Sequence, residues 1–103
     1  NVTGHVDGMS KLSNIMKIKS SFELWFEVSE SIIIFLAEKG SITLNGVSLT
    51  INHIDNNLFS VNIINHTWEN TNLSSYKIGS FMNLEVDIIS RYVSRHTKNY
   101  MKL

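Results

Sequence analysis

The sequence predicts an all-β fold, a small antiparallel barrel of about six short strands with one short helix. Hydrophobic and polar residues alternate in several short stretches, turn residues separate these stretches about every 8–12 residues, and a strong hairpin signal joins two of them. The chain has 103 residues and no proline. It therefore fits one domain, and proline confines no strand to a sheet edge.

The hairpin signal lies at Asn45 and Gly46, between the stretches SITL and VSLTI. Both turn positions of a two-residue hairpin need a positive φ, which Asn and Gly adopt readily. Ser48 and Thr50 are two residues apart, so both hydroxyls leave the same face of the second strand, opposite Leu49. Such a strand can wall a core and line a polar pocket together; a solvated outer face is the alternative.

Three stretches before the hairpin have the pattern of strands. Residues 1–7 predict a short strand that a turn at Asp7 and Gly8 ends. Residues 9–18 alternate loosely, as in a bent strand, and residues 22–28 alternate strictly.

A short helix is expected through residues 32–36, where the hydrophobic period becomes helical. Ser29 or Ser31 can cap its first turn, and Lys39 with Gly40 supplies a cationic last turn and a glycine stop. This helix is expected to plug an open end of the barrel.

After the hairpin, the pattern returns to strands and turns. Residues 56–57, both Asn, mark a tight turn before a strand at residues 58–64. One face of that strand carries Phe59, Val61 and Ile63. Residues 67–73 are polar and turn-like, a turn follows at residues 77–80, and residues 81–88 alternate as the last strand.

The tail has a helical pattern. Its apolar stripe consists of Ile88, Ile89, Tyr92, Val93, His96 and Tyr100. We therefore expect a barrel at residues 1–88 and a C-terminal amphipathic helix at residues 89–103. Such a helix can contact another subunit or pack back across the barrel, and the sequence leaves both open.

Composition excludes several classes of function. Nine basic and nine acidic residues balance, so charge gives no sign of nucleic acid or an anionic membrane as partner. The chain has no cysteine, no signal peptide pattern, and no apolar run near the roughly 18 residues of a membrane span. His53, His66 and His96 lack metal-ligand spacing, so no metal is expected. Because the chain begins at Asn1 within a polar turn, we expect a fragment of a longer protein.

Four motifs in order resemble riboflavin synthases. Residues 4–8 read GHVDG, residues 39–50 read KGSITLNGVSLT, residues 64–73 read INHTWENTNL, and residues 83–87 read NLEVD. In order and spacing they are similar to the second, C-terminal half of that enzyme family, and the resemblance covers nearly the whole chain.

The resemblance implies a six-stranded Greek-key barrel and a cytoplasmic enzyme. Riboflavin synthases contain two such barrels and a C-terminal helix, and act as homotrimers. Each active site lies between the N-terminal barrel of one subunit and the C-terminal barrel of another. Two molecules of 6,7-dimethyl-8-ribityllumazine react by transfer of a four-carbon unit, giving riboflavin and 5-amino-6-ribitylamino-pyrimidinedione. No cofactor or metal is used, so the protein holds two rings and handles protons.

Carried onto this chain, the resemblance implies His5, Ser48 and Asp87 as the catalytic set. His5 would be a proton shuttle or ribityl contact, Ser48 would bond the reacting ring or position a water, and Asp87 would be the acid at the rim. The residues implied for substrate binding are Gly4, His5, Val6, Lys39, Ser48, Leu49, Thr50, Ile64, Asn65, His66, Thr67, Trp68 and Glu69. Thr50 and Thr67, with neighbouring backbone groups, would hold the pyrimidine edge.

Several of these residues also have a purely structural explanation. His5 alone can be a surface turn residue, although imidazole exchanges protons near neutral pH. Asp87 can be an exposed strand position, and Lys39 can be only a helix-end cation. Trp68 can stack on a ligand or cover the barrel mouth.

Three positions depart from the family pattern. The family often has proline where Asn65 stands, which makes this loop less rigid here. It often has glycine where Ser74 stands, which puts a positive-φ turn in doubt. Aspartate is also common where Asn45 stands, so an acidic role would be lost there.

Two other classes of function stay open. A non-catalytic lumazine or flavin carrier needs only the ring-edge contacts, whereas His5, Ser48 and Asp87 together favour the enzyme. A nucleic-acid binder of the oligonucleotide-binding type needs a basic face with exposed aromatics, which the zero net charge argues against. Without a first barrel, we expect half an active site that binds one ligand weakly and turns over little.

Overall fold

The computed structural model describes residues 5–87 of the chain, with the backbone alone at residues 5, 6 and 87. The expected C-terminal helix at residues 89–103 and the proposed ligand contact Gly4 lie outside the described residues. Within the described range, no helix has the length and apolar character needed to cross a membrane.

Six antiparallel strands close into a barrel, as the sequence predicted. They are β1 (His5–Ile18), β2 (Ser21–Glu27), β3 (Ser41–Leu44), β4 (Val47–Asp55), β5 (Leu58–Ile64) and β6 (Phe81–Asp87). The strand order around the barrel is β1-β2-β5-β4-β3-β6, so the last strand pairs with the first. The remaining elements are α1 (Glu30–Ile33), α2 (Asn65–Asn70) and a 3-10 turn at Asn72–Ser75.

Alternate side chains of the strands fill the barrel. Phe59, Val61 and Ile63 are buried together, as expected for one face of β5. The rings of Phe26 and Phe59 stack with centroids 5.3 Å apart at the centre of this core. Because each such side chain contributes about 1.5–3 kcal/mol on burial, the alternation fixes which face of every strand points outward.

β1 runs through Asp7 and Gly8 without interruption, so the predicted turn there is wrong. Gly8 pairs with Leu84 of β6 and lies on the face of β1 that points into the barrel. A Cβ added to Gly8 would lie 2.1 Å from Cδ1 of Ile32. The glycine therefore makes room for the plug helix, and β1 bends further along, at a register shift between Leu12 and Asn14.

The plug helix is present but shorter than predicted. It covers only Glu30–Ile33, and Ile32 and Leu36 extend the core cluster. Ser29 stands at the N-cap without capping through its side chain, because its hydroxyl bonds that of Ser31 at 2.9 Å. The sequence predicted a glycine stop at Gly40. The residue with a positive φ after the plug helix is instead Lys39, with a φ of 72°.

Residues 67–73 are more ordered than the turn that the sequence predicted. α2 and the 3-10 turn cover all of them except Thr71, and Leu73 is fully buried. The Thr71 hydroxyl donates to the Thr67 carbonyl at 2.8 Å, which ties the last turn of α2 to its first. Asparagine has a low helix propensity, so this Asn-rich helix depends on packing against the barrel.

Candidate functional site

β4 has one apolar and one hydroxyl face, as the sequence predicted. Ser48 and Thr50 are exposed, while Val47 and Leu49 are half-buried and pack against the core. The hairpin turn that begins β4 has φ values of 47° at Asn45 and 85° at Gly46. These positive values match the Asn-Gly signal, and they start the alternation that leaves the two hydroxyls outside the barrel.

A hydrogen-bond cluster holds the tip of this hairpin to β6. The backbone N–H of Asn45 donates to the Asn83 carbonyl at 2.8 Å, and the Asn83 N–H donates to Oδ1 of Asn45 at 2.7 Å. The Asn45 amide nitrogen also bonds the Tyr76 hydroxyl. Asn45 thus both accepts and donates, which a carboxylate at this position could not do.

The strand register aligns polar residues of four strands on the outer face. Ser48 pairs with Thr43, Thr43 with Glu85, and Glu85 with Asp7. A second row begins with Thr50 paired to Ser41, and the backbones of His5 and Asp87 pair two residues beyond Asp7 and Glu85 in the β1–β6 ladder. We call the residues of these rows the polar band: Ser48, Thr43, Glu85, Asp7, Thr50, Ser41, Asp87 and His5.

The three residues expected to be catalytic, His5, Ser48 and Asp87, all belong to the polar band. His5 and Asp87 are directly opposite in the β1–β6 ladder. Ser48 lies on β4, separated from β6 by the single strand β3. The positions of all three therefore belong to one continuous part of the sheet.

The ladder between β4 and β5 ends early, at Ile51 paired with Val61. The preceding half of β4 pairs with β3, and the following residues of β5 pair with β2. Residues 47–50 and 62–64 thus present strand edges that lie beyond their common ladder. We call this place the seam; backbone N–H and C=O groups at such edges can bond a planar heterocycle with an amide-like edge.

Other expected ligand contacts flank the seam. The N–H of Lys39 donates to the Ile51 carbonyl at 2.8 Å, which fixes its backbone beside β4. Ile64, at the end of β5, has 61% of its surface exposed, which leaves an apolar side chain for a ring to cover. Asn65 begins α2, and its N–H donates to the Ser20 carbonyl at 3.1 Å. Proline at this position would lose that hydrogen bond.

α2 carries the rest of the expected contacts. Thr67 is half-buried, and His66 and Glu69 are exposed. Trp68 is half-buried and stacks on Phe22 with centroids 4.4 Å apart, so its ring packs at the end of the barrel. This stack on Phe22 is the contact expected of a tryptophan that covers the barrel mouth.

Ser41, Thr43 and Glu85 belong to the polar band but were not among the expected site residues. The alternation of SITL and of NLEVD indicated which face they occupy. Only the register shows that this face continues across β3 and β6 from Ser48.

Within residues 5–87, no group of three or more His, Cys, Asp or Glu residues has a metal-binding arrangement. The nearest contact of this kind joins His53 Nδ1 and Glu38 Oε2 at 3.9 Å, and both side chains are more than half exposed. The polar band and the seam combine hydroxyls, carboxylates and backbone groups.

Comparisons with known families and with known proteins agree on one family. A family model described as Lumazine binding domain matches residues 3–87. Riboflavin synthase of Actinobacillus pleuropneumoniae is 42% identical over 91% of this chain and 44% of its own length. Those of Photobacterium phosphoreum and Buchnera aphidicola are 37% and 34% identical, over 43% and 49% of their lengths. The chain thus spans less than half the length of these relatives.

A solved structure has the same fold. The crystal structure of LumP complexed with 6,7-dimethyl-8-(1'-D-ribityl) lumazine matches with a TM-score of 0.72. The match covers 77% of this chain and 45% of that one at 24% sequence identity. This similarity supports the barrel architecture and not the identity of the ligand.

Proposed function

Because the chain belongs to the lumazine binding domain family, we propose that it is the lumazine-binding half of a riboflavin synthase. The seam beside the hydroxyl face of β4 is the observation that carries this proposal. It combines backbone edges, two exposed hydroxyls and the exposed apolar side chain of Ile64. A flat heteroaromatic ring with a polar pyrimidine edge needs this combination of contacts.

In the proposed complex, one 6,7-dimethyl-8-ribityllumazine lies at the seam. Backbone groups near Thr50 and Thr67 bind the pyrimidine edge, and Ile64 and Leu49 contact the ring. Ser48 bonds the reacting part of the ring or a water beside it. Asn65, His66 and Glu69 on α2, with Lys39 opposite, form the rim of the site. These roles are supported by the positions of their backbones around the seam.

The proposed reaction joins two lumazine molecules. One loses a proton from a ring methyl group and attacks the other; a four-carbon unit then leaves the donor ring. The acceptor becomes riboflavin, and the donor becomes 5-amino-6-ribitylamino-pyrimidinedione. The pairing of the His5 and Asp87 backbones in the β1–β6 ladder supports a shared role of these two positions in moving the protons.

The second ring requires a second barrel. We propose that the N-terminal barrel of a neighbouring subunit supplies it, in a cytoplasmic homotrimer with residues 89–103 at a subunit contact. The length of the relatives supports this, because they are more than twice as long as the matched region. The strand order, in which β5 rather than β3 lies beside β2, supports the proposal of a Greek-key barrel.

Titration of the chain with 6,7-dimethyl-8-ribityllumazine, followed by ligand fluorescence, tests the binding site. Saturable binding is expected, with an affinity lowered severalfold in Ser48→Ala and Thr50→Val. Ser13→Ala, an exposed serine on β1 away from the seam, serves as the matched control. Absence of binding by a folded chain would contradict the proposal.

The same samples test catalysis through the absorbance of riboflavin. Little product is expected from the chain alone, and product is expected when an N-terminal barrel of a riboflavin synthase is added. Binding without product in both mixtures would favour a second candidate, a non-catalytic carrier of lumazine or flavin. LumP, which has the same barrel fold, has been solved with flavin mononucleotide bound.

A further inference from the structure

The tip of the β3–β4 hairpin combines the two groups that spontaneous deamidation requires. In that reaction the backbone nitrogen of one residue attacks the side-chain amide carbon of the asparagine before it, which is one reason why asparagine is thermolabile. A following glycine hinders the attack least, because it has no side chain. Gly46 follows Asn45, is exposed, and has no atom within 4 Å of the position that a Cβ would take. The backbone beside the Asn45 amide is therefore open.

Water reaches this turn from a polar cavity. The cavity has a volume of about 500 Å³, and its lining includes Asn45, Gly46 and Tyr76. The hairpin ladder pairs Leu44 with Val47, so Gly46 lies in the turn and outside the ladder. Ammonia can leave into this cavity, and water can enter from it to complete the reaction.

Two side-chain hydrogen bonds oppose the reaction. The amide nitrogen of Asn45 bonds the Tyr76 hydroxyl, and its Oδ1 accepts from the Asn83 N–H at 2.7 Å. Attack needs the Gly46 nitrogen and Cγ of Asn45 to be aligned at about 3–3.5 Å. Rotation of the amide plane toward that alignment competes with both bonds, which lead to β6 and to the residue after the 3-10 turn. The rate should therefore depend on how often the amide is released.

We propose that Asn45 is a deamidation site of the folded chain, and that its bonds to Tyr76 and Asn83 set the rate. The Gly46 nitrogen forms a bond to Cγ of Asn45 and loses its proton, and the amide nitrogen leaves as ammonia. The product is a cyclic succinimide. Water then adds to one of the two ring carbonyls and opens the ring, which gives aspartate or isoaspartate at position 45. The inference does not depend on the proposed function.

The two products differ in what they do to the hairpin. Aspartate keeps the backbone length, and its carboxylate can accept from the Asn83 N–H and from the Tyr76 hydroxyl, which then acts as the donor. Isoaspartate places Cβ in the main chain, so the turn between Leu44 and Val47 gains an atom and no longer fits the two-residue type.

The test is a time course of the folded chain at neutral pH and physiological temperature, followed by tryptic digestion and mass spectrometry. Trypsin cuts after Lys39 and Lys77, so one peptide contains both Asn45 and Asn56. Asn56 is an internal reference, because it also has a positive φ and is more exposed than Asn45 but precedes asparagine. Tyr76→Phe removes one of the two bonds. Ser75→Ala is the matched control, since the Ser75 hydroxyl bonds the Asn72 carbonyl in the same 3-10 turn.

Conversion is expected at Asn45 before Asn56, and about three- to tenfold faster in Tyr76→Phe, the effect of one lost hydrogen bond. Ser75→Ala should stay within about twofold of the unchanged chain. The unchanged chain in urea, which lacks both bonds, should convert faster at Asn45 than the folded chain; this comparison decides if thermal melting shows that Tyr76→Phe does not fold. Conversion first at Asn56, or an Asn45 rate that neither Tyr76→Phe nor urea raises, would overturn the proposal.

Discussion

Gly8 is a position at which the absence of a side chain leaves room for a core residue. Its Cα hydrogen faces the plug helix, where a Cβ would lie 2.1 Å from Cδ1 of Ile32. The sequence pattern placed a turn here because Asp-Gly is a common turn pair. The glycine instead serves a contact with a residue 24 positions later in the chain. No local rule shows such a requirement.

Gly8→Ala is expected to lower the free energy of unfolding by about 1–3 kcal/mol, the usual cost of overpacking a core. Urea unfolding measures it. In an Ile32→Val background, which lacks Cδ1, the same change should cost less, because the two residues are in contact. Equal costs in both backgrounds would show that the methyl group is accommodated elsewhere.

Asn45 combines a backbone and a side-chain requirement at one position. Its φ of 47° favours Asn or Gly, and its amide bonds both Tyr76 and Asn83. Asn45→Gly should lose about 1 kcal/mol of stability through the missing hydrogen bonds. Asn45→Ala should lose about 1–2 kcal/mol more, because it adds the cost of positive φ. Thermal melts of the two variants test this order; a more stable alanine variant would contradict it.

Among the elements, α2 shows most clearly where sequence patterns lose their predictive value. The strands were predictable because burial alternates with period two, as in Phe59, Val61 and Ile63. The hairpin was predictable from its turn residues. α2 has no apolar stripe and is Asn-rich, so its helical form depends on Trp68 packing onto Phe22. The expected site residues came from motif resemblance, whereas Thr43 and Glu85 needed the register, which alternation alone does not give.

Trp68→Leu tests whether this tryptophan is structural. Leucine keeps an apolar contact with Phe22 but removes the aromatic stack, so stability should fall by about 1–2 kcal/mol. Lumazine affinity, measured below the melting temperature, should remain within about twofold of the unchanged chain. A large loss of affinity in the folded variant would show that the Trp68 ring stacks on the ligand.

At the scale of the whole molecule, closure makes every strand depend on two neighbours. The core cluster includes residues from all six strands and the plug, so no strand can leave without opening it. We therefore expect one cooperative urea transition with a slope of about 1 kcal/mol/M. The two tryptophans, Trp25 on β2 and Trp68 on α2, report two regions by fluorescence, and circular dichroism reports the strands. Fluorescence that changes before circular dichroism would show that α2 opens separately.

The pairing of His5 with Asp87 also places the two ends of the described chain side by side. A short peptide linker could join them without crossing the barrel, and new termini could be cut at the Asn56–Asn57 turn, opposite the hairpin tip along β4. Such a circular permutant would retain the β3–β4 connection and the seam. The same adjacency allows one barrel to follow another in a single polypeptide, since a tandem copy can begin where the previous one finishes.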